Sequence, residues 1–292
     1  MSLTLGRVAQ IDPSKVNTDT TFLTSYKMEE EKYNSAMADT NKKRILELNG
    51  HIPNNMTYRV NNYGFRGDDW HIGTDCDVTM GSSDTWGGGN YEEHIYPTLI
   101  AKETNRTVYN LGYPAGTADG VFRYAYYWLY KLKPKTVYTL FPNPKRSELI
   151  LRDEPTGELY HKHWSWSERK RKERDNIWPA TDPYYYKWYS TDANSLLNNL
   201  KNMLALKQIC DEIGAELRLS NWRYITIADL PKEYQQQSTY EIQGGHWPIG
   251  DIGRDFKHRG KLFHKLFTEH LLSTNNYNTE VNNLKERIYE EN

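Results

Sequence analysis

Residues 76–87 read Cys76-Asp77-Val78-Thr79-Met80-Gly81-Ser82-Ser83-Asp84-Thr85-Trp86-Gly87, a short β-rich run that breaks into a glycine-flanked serine turn. Apolar and β-branched residues favour an extended strand, and the glycines between Gly81 and Gly89 allow a sharp exit from it. A helical stretch follows around Glu92 to Lys102. The same alternation recurs downstream. Thr107-Val108-Tyr109-Asn110-Leu111 enters a second glycine-containing turn and a helix from Gly120 to Leu132, and Thr136 to Phe141 is a third strand. Ala193 to Ile213 has helical apolar spacing at Leu196, Leu197, Leu200, Leu204, Ile209 and Ile213, with Gly214 placed as its C-cap. Glu216 to Leu219 is a fourth strand. Strands alternating with helices predict βαβ units and a parallel sheet covered on both faces. Such sheets bind ligands beyond the carboxyl ends of their strands, which directs attention to the residues just after 80, 111, 140 and 219.

Working outward, the 292 residues suffice for one large domain with its own core. Residues 1–60 are expected to be a partly helical N-terminal extension, 61–273 the main domain and 274–292 a C-terminal tail. An insertion at about 144–190 carries the basic run Arg169 to Lys172 and the aromatic cluster Tyr184 to Tyr189; its length predicts a folded insertion or lid rather than a bare loop. With 37 Lys+Arg against 38 Asp+Glu the formal net charge is −1, so no global field favours nucleic acid or an anionic membrane, and neither is expected as a partner. Two cysteines, Cys76 and Cys210, are too few for a disulfide framework. The first residues lack a secretory pattern and no stretch approaches the ~20 apolar residues of a membrane span, so a cytoplasmic location is expected. The 23 Tyr and 9 Trp beside a mean hydropathy of −0.86 suit a wet surface groove, though tyrosine-rich packing is the commoner cause.

Two clusters carry candidate chemistry. In the first turn, a serine on a strand-to-helix bend is exposed beside a helix N-terminus that favours developing negative charge, although a plain helix N-cap has the same appearance. Near the far end, Asp255-Phe256-Lys257-His258 precedes a run of helical apolar spacing, Leu262 to Leu271. At this spacing a carboxylate can hold one ring N–H of the imidazole while the other ring nitrogen meets a hydroxyl; Asp255 as a capping residue and His258 as a surface histidine are the plainer alternatives.

Taken in order along the chain, these segments resemble the SGNH (GDSL-like) hydrolase family. Gly81-Ser82-Ser83-Asp84-Thr85-Trp86-Gly87 is similar to its nucleophile block, and Asn61-Asn62-Tyr63-Gly64-Phe65-Arg66-Gly67 to the N-x-x-G-F-R-G lead-in of many members. Asn110-Leu111-Gly112-Tyr113-Pro114-Ala115-Gly116 resembles the second block, Asn143 between two prolines the third, and Asp255 with His258 the D-x-x-H block. The family's Asp before the nucleophile is Ser82 here, which leaves both serines open, with the Thr-Trp-Gly tail favouring Ser83. The second-block glycine falls on Ala115 or Gly116, with Gly116 preferred.

The resemblance implies an α/β, flavodoxin-like three-layer sandwich with a mainly parallel central sheet. It implies a serine esterase in which His258, oriented by Asp255, activates Ser83, and the N–H groups of Ser83 and Gly116 with the Asn143 side chain hold the oxyanion. Trp86 and Tyr113 are expected to touch substrate, a small-molecule or carbohydrate ester, without cofactor or metal. His161, His163 and His246 lack an acidic partner at ligand spacing. The Gly87-Gly88-Gly89 run has no Lys-Ser/Thr after it and does not form a phosphate loop. Trp164, Trp166, Trp178, Tyr184 to Tyr186 and Trp188 are candidates for a carbohydrate platform or for packing of the insertion. A non-catalytic carbohydrate-binding or structural module on the same fold is the rival reading.

Overall fold

The computed structural model describes residues 30–53, 56–144, 146–152, 159–165, 192–221, 225–242, 245–273 and 277–290. At its centre are four parallel strands: β1 (Cys76–Gly81), β2 (Thr107–Gly112), β3 (Thr136–Phe141) and β6 (Glu216–Asn221), in the order β2-β1-β3-β6. This is the doubly wound order in which the chain first steps to one side of β1 and then to the other, as in flavodoxin-like sheets. Every residue of β1 is buried, as expected of a strand covered on both faces.

One face of the sheet packs against helices Ala118–Leu132, Asp192–Ile213 and Tyr277–Glu290, here α4, α5 and α8. Val78, Met80, Leu111, Val137, Phe141 and Leu219 supply the strand side of that core. The other face packs against α3 (Tyr96–Thr104) and α7 (Lys261–Ser273), with Tyr138 and Leu140 meeting Tyr96, Ile100, Phe263 and Phe267. The α/β sandwich expected from the alternation of elements is therefore present. Local chemistry fixes the helix ends: the Thr117 side chain accepts the Gly120 amide to cap α4, and Gly214, at φ +73°, closes α5.

The structure adds detail at three places. In α5 the buried stripe is Leu196, Leu200, Met203, Leu206, Ile209 and Cys210, whereas Leu197 and Leu204 face outward. Within the expected C-terminal tail, α8 inserts Val281 and Leu284 into the core, and Glu280 accepts a hydrogen bond from the Asn221 side chain at 2.5 Å. The described part of the N-terminal extension, a helical stretch at 30–37 and α1 (Thr40–Leu48), folds onto the loop before α7: Asn49 donates to the Ile249 carbonyl and accepts the Ile252 amide.

The insertion begins as an antiparallel hairpin, β4 (Arg146–Arg152) with β5 (Leu159–Ser165), and His161 and His163 lie on β5. Arg123 of α4 and Glu148 of β4 form a buried bidentate ion pair at 2.7 and 3.0 Å that ties the hairpin to the carboxyl edge of the sheet. The basic run 169–172 and Trp166, Trp178, Tyr184 to Tyr186 and Trp188 lie outside the described residues. Among the described residues no helix is long and apolar enough to cross a membrane.

Candidate active site

The serine turn after β1 is built from close approaches. Gly81, at φ +152°, ends β1 where a Cβ would meet Thr85 Oγ1 at 2.1 Å and the Leu140 carbonyl at 2.5 Å, so only glycine fits. Ser82 occupies the N-cap position of the one-turn helix α2 (Ser83–Trp86), yet its side chain makes no capping bond. The plain N-cap reading of this serine turn therefore loses its support. Ser83 is the first helical residue, where a backbone N–H has no acceptor within the helix; the residue is 7% exposed.

Asp255 and His258 come from the far end of the chain, on the loop between a 3₁₀ turn (Ile249–Asp251) and α7. The Asp255 carboxylate lies 2.5 Å from His258 Nδ1 and also accepts the backbone amides of Lys257 and His258 at 3.0 and 3.2 Å. Burial pushes the Asp255 carboxyl upward, but the charge of His258 and these hydrogen bonds outweigh it and hold the group at about 2. The carboxylate is thus an anion fixed against one ring nitrogen, which leaves Nε2 for another partner. Capping of α7 falls instead to Asp251, whose carboxylate accepts the Leu262 and Phe263 amides and the Trp247 indole N–H. The capping alternative for Asp255 is resolved against it, and the His258 side chain is only 13% exposed.

The run Gly87 to Gly89 joins the two clusters. A Cβ on Gly88 would lie 2.8 Å from His258 Cε1 and 2.9 Å from Nδ1, and the Gly88 amide donates to the Ser83 carbonyl at 2.9 Å. A Cβ on Gly89 would lie 2.5 Å from Asp255 Oδ1, and the Gly89 carbonyl accepts the Arg254 amide at 2.7 Å. Gly88 thus lies against the His258 ring and is bonded through its amide to the Ser83 carbonyl. Sequence reading tested these three glycines only as a phosphate loop and missed this seat, although three consecutive glycines after a nucleophile turn signal that something packs against bare backbone.

The remaining expected residues divide. The Gly116 amide donates to the Tyr113 carbonyl at 2.9 Å, and Gly116 lies against Gly81 O and Ser82 Cα. Ala115, the alternative for the second-block glycine, takes the left-handed conformation, φ +59°, that glycine favours. Asn110 knots this turn, its side chain accepting the Gly112 amide at 2.8 Å and donating to the Thr85 carbonyl at 3.0 Å. Asn143 is half-buried just beyond β3, its carbonyl accepting the Arg146 amide at 3.1 Å. Tyr113 is half-buried, with its amide on the Gly81 carbonyl at 3.2 Å. Trp86 is 4% exposed and stacks on Tyr58 at 4.6 Å. His246 is exposed on β8 (Gly245–Pro248), and no group of three His, Cys, Asp or Glu side chains able to hold a metal ion occurs among the described residues.

No family profile and no curated protein matches the sequence. Among solved structures, the chain is similar to a G-D-S-L family protein from Desulfitobacterium hafniense DCB-2, at 14% identity and a TM-score of 0.37, over 71% of this chain and 99% of that one. It is also similar to the acetyl xylan esterase Est2A from the rumen bacterium Butyrivibrio proteoclasticus, at 11% identity and a TM-score of 0.38, over 77% of this chain and 67% of that one.

Proposed function

We propose that the protein is a serine esterase of SGNH type with Ser83 as nucleophile, His258 as general base and Asp255 as the group that orients it. The observation that supports this reading is the Asp255–His258 pair, 2.5 Å apart and seated on Gly88 and Gly89, with the Gly88 amide bonded to the Ser83 carbonyl. Asp255 on Nδ1 fixes the tautomer that presents Nε2 as an acceptor. His258 takes the Ser83 proton as Oγ attacks the ester carbonyl, then returns it to the departing alcohol; water repeats the sequence on the acyl-enzyme and releases the acid.

The oxyanion is assigned to the Ser83 amide, at the start of α2, and to the Asn143 side chain. The second-block donor moves from Gly116 to Ala115, because an oxyanion at Gly116 would compete with the Tyr113 carbonyl already bonded to that amide. Tyr113 remains the proposed substrate contact. Acylated carbohydrate is the proposed substrate class, on the aromatic content of the insertion. Hydrolysis of p-nitrophenyl acetate by the wild type, abolished in Ser83→Ala, is the test; a wild type that hydrolyses neither this ester nor acetylated oligosaccharides overturns the reading in favour of a binding module.

A further inference from the structure

The lead-in Asn61-Asn62-Tyr63-Gly64-Phe65-Arg66-Gly67 has no part in the triad, yet its arginine is among the most deeply buried side chains of the protein, 1% exposed. The segment folds as a tight turn. Asn61 Oδ1 accepts the Tyr63 and Phe65 amides, both at 2.9 Å, Gly64 sits at φ +85°, and Phe65 packs against Trp70 and Trp128. The turn thereby aims Arg66 inward, under the end of α2.

There the guanidinium meets main-chain oxygens. Nη1 donates to the carbonyls of Gly87 at 2.5 Å and Trp86 at 3.2 Å, and Nη2 to that of Asn90 at 2.8 Å. It lies over the rings of Tyr58 and Trp86, 4.5 and 5.3 Å from their centroids, and the Tyr58 hydroxyl accepts the Gly89 amide at 2.9 Å. A one-turn helix leaves its last carbonyls without donor partners in the helix, and Arg66 supplies the donors.

The opposite side of this same segment faces the acid and base. Gly88 abuts the His258 ring and Gly89 the Asp255 carboxylate, while the Asn90 side chain donates to the carbonyls of Gly88 and Arg259, each at 2.9 Å. Residues 87–90 are thus held both by Arg66 with Tyr58 and by the Asp255–His258 loop.

We infer that Arg66 is a positioning residue that sets the spacing between Ser83 and His258 by fixing the backbone of residues 87–90. Its kinetic consequence rests on the esterase reading; its structural consequence at His258 does not. Removing the fork leaves buried carbonyls unsatisfied and frees the seat of the imidazole, and lysine, a point charge on a flexible stem, replaces only part of it.

The experiment compares wild type, Arg66→Lys and Arg66→Ala, with folding followed by circular dichroism, p-nitrophenyl acetate kinetics, and titration of the His258 ring by NMR. The expected result is a kcat lowered by ~10²-fold in Arg66→Ala and by less in Arg66→Lys, with KM within about threefold of wild type. The His258 titration midpoint shifts in both variants, and methylguanidinium restores part of the rate of Arg66→Ala. A folded variant with an unmoved His258 titration overturns the inference, whatever its rate. If Arg66→Ala fails to fold, Arg66→Lys decides by the same titration. If the wild type hydrolyses no ester, the esterase reading falls, and the titration still supports or overturns the role of Arg66.

Discussion

The α-carbon of Gly88 lies so close to the His258 ring that an added Cβ would stand 2.8 Å from Cε1. Gly88 is not among the residues of positive φ, so alanine is compatible with its backbone and the strain of Gly88→Ala falls on the imidazole. The variant is expected to melt within a few degrees of wild type and to lose ~10²-fold in kcat/KM, the usual cost of displacing a reacting group by about 1 Å. Steady-state kinetics with a thermal melt checks both halves; undiminished activity means that His258 does not work from its observed position.

Labelling distinguishes the two serines. Ser82 stands at the N-cap position and Ser83 begins α2. A fluorophosphonate probe is expected to form one adduct, on Ser83, that is lost in Ser83→Ala and retained in Ser82→Ala. Mass spectrometry of the tryptic peptide locates it, and an adduct on Ser82 shifts the assignment by one residue.

Asp255 is held at about 2, hence ionised throughout the neutral range, so the pH dependence of the rate follows the proton on His258. kcat/KM for a simple ester rises with pH as the imidazole becomes neutral, and a flat profile between about pH 5 and 8 argues against His258 as base. Asp255→Asn keeps an oxygen for the Lys257 and His258 amides but presents either the wrong tautomer or a poorer acceptor to Nδ1. The expected loss is ~10²- to 10⁴-fold in kcat with folding preserved.

His264 gives a stability test independent of catalysis. Its Nδ1 accepts the Tyr96 amide at 3.2 Å, and burial lowers its pKa from 6.5 to about 3. The unfolded chain therefore binds a proton that the folded chain refuses until much lower pH. Stability from this group is full above about pH 6.5 and is lost on acidification toward pH 3, by up to about 1.4 kcal/mol per pH unit. His51, His94 and His270, whose pKa values burial also lowers, add to the same slope. His264→Asn, which keeps an acceptor for Tyr96, is expected to flatten it by about one proton in urea melts at several pH values.

Glu148→Ala leaves Arg123 buried without its bidentate partner, and breaking a pair of this kind typically costs ~3–5 kcal/mol. Chemical denaturation is expected to show that loss. Replacing both residues by apolar side chains of similar volume is expected to recover most of it.

The order of strands and helices was legible because short β-rich runs, as in β1 and β3, alternate with helix-length segments. The D-x-x-H spacing and the serine turn were legible for a similar reason: each is a local device, complete within a few residues. What the sequence hid was long-range. Nothing near Gly88 announces that His258 will lie on it, Asp251 rather than Asp255 caps α7 although both stand upstream of the helix, and Leu197 and Leu204 face outward although their spacing matches their buried neighbours. Trp86 shows the same limit, since an aromatic beside a nucleophile suits a substrate wall and an internal stack equally well.

The grip of Asn49 on Ile249 and Ile252 spans 200 residues of sequence, and the seat that Gly88 provides for His258 spans nearly as many. During synthesis from the N-terminus, the serine turn and its sheet neighbours emerge long before the loop that carries Asp255 and His258. On the esterase reading, Ser83 is an ordinary hydroxyl for most of the chain's emergence and gains His258 as base only when the last strand of the sheet and the loop after it have docked. Contacts of such separation also slow folding, because distant segments must be brought together before any of them is rewarded. On that reading, labelling at Ser83 would act as a proofreading signal: a chain that labels there has docked the distant loop that carries Asp255 and His258.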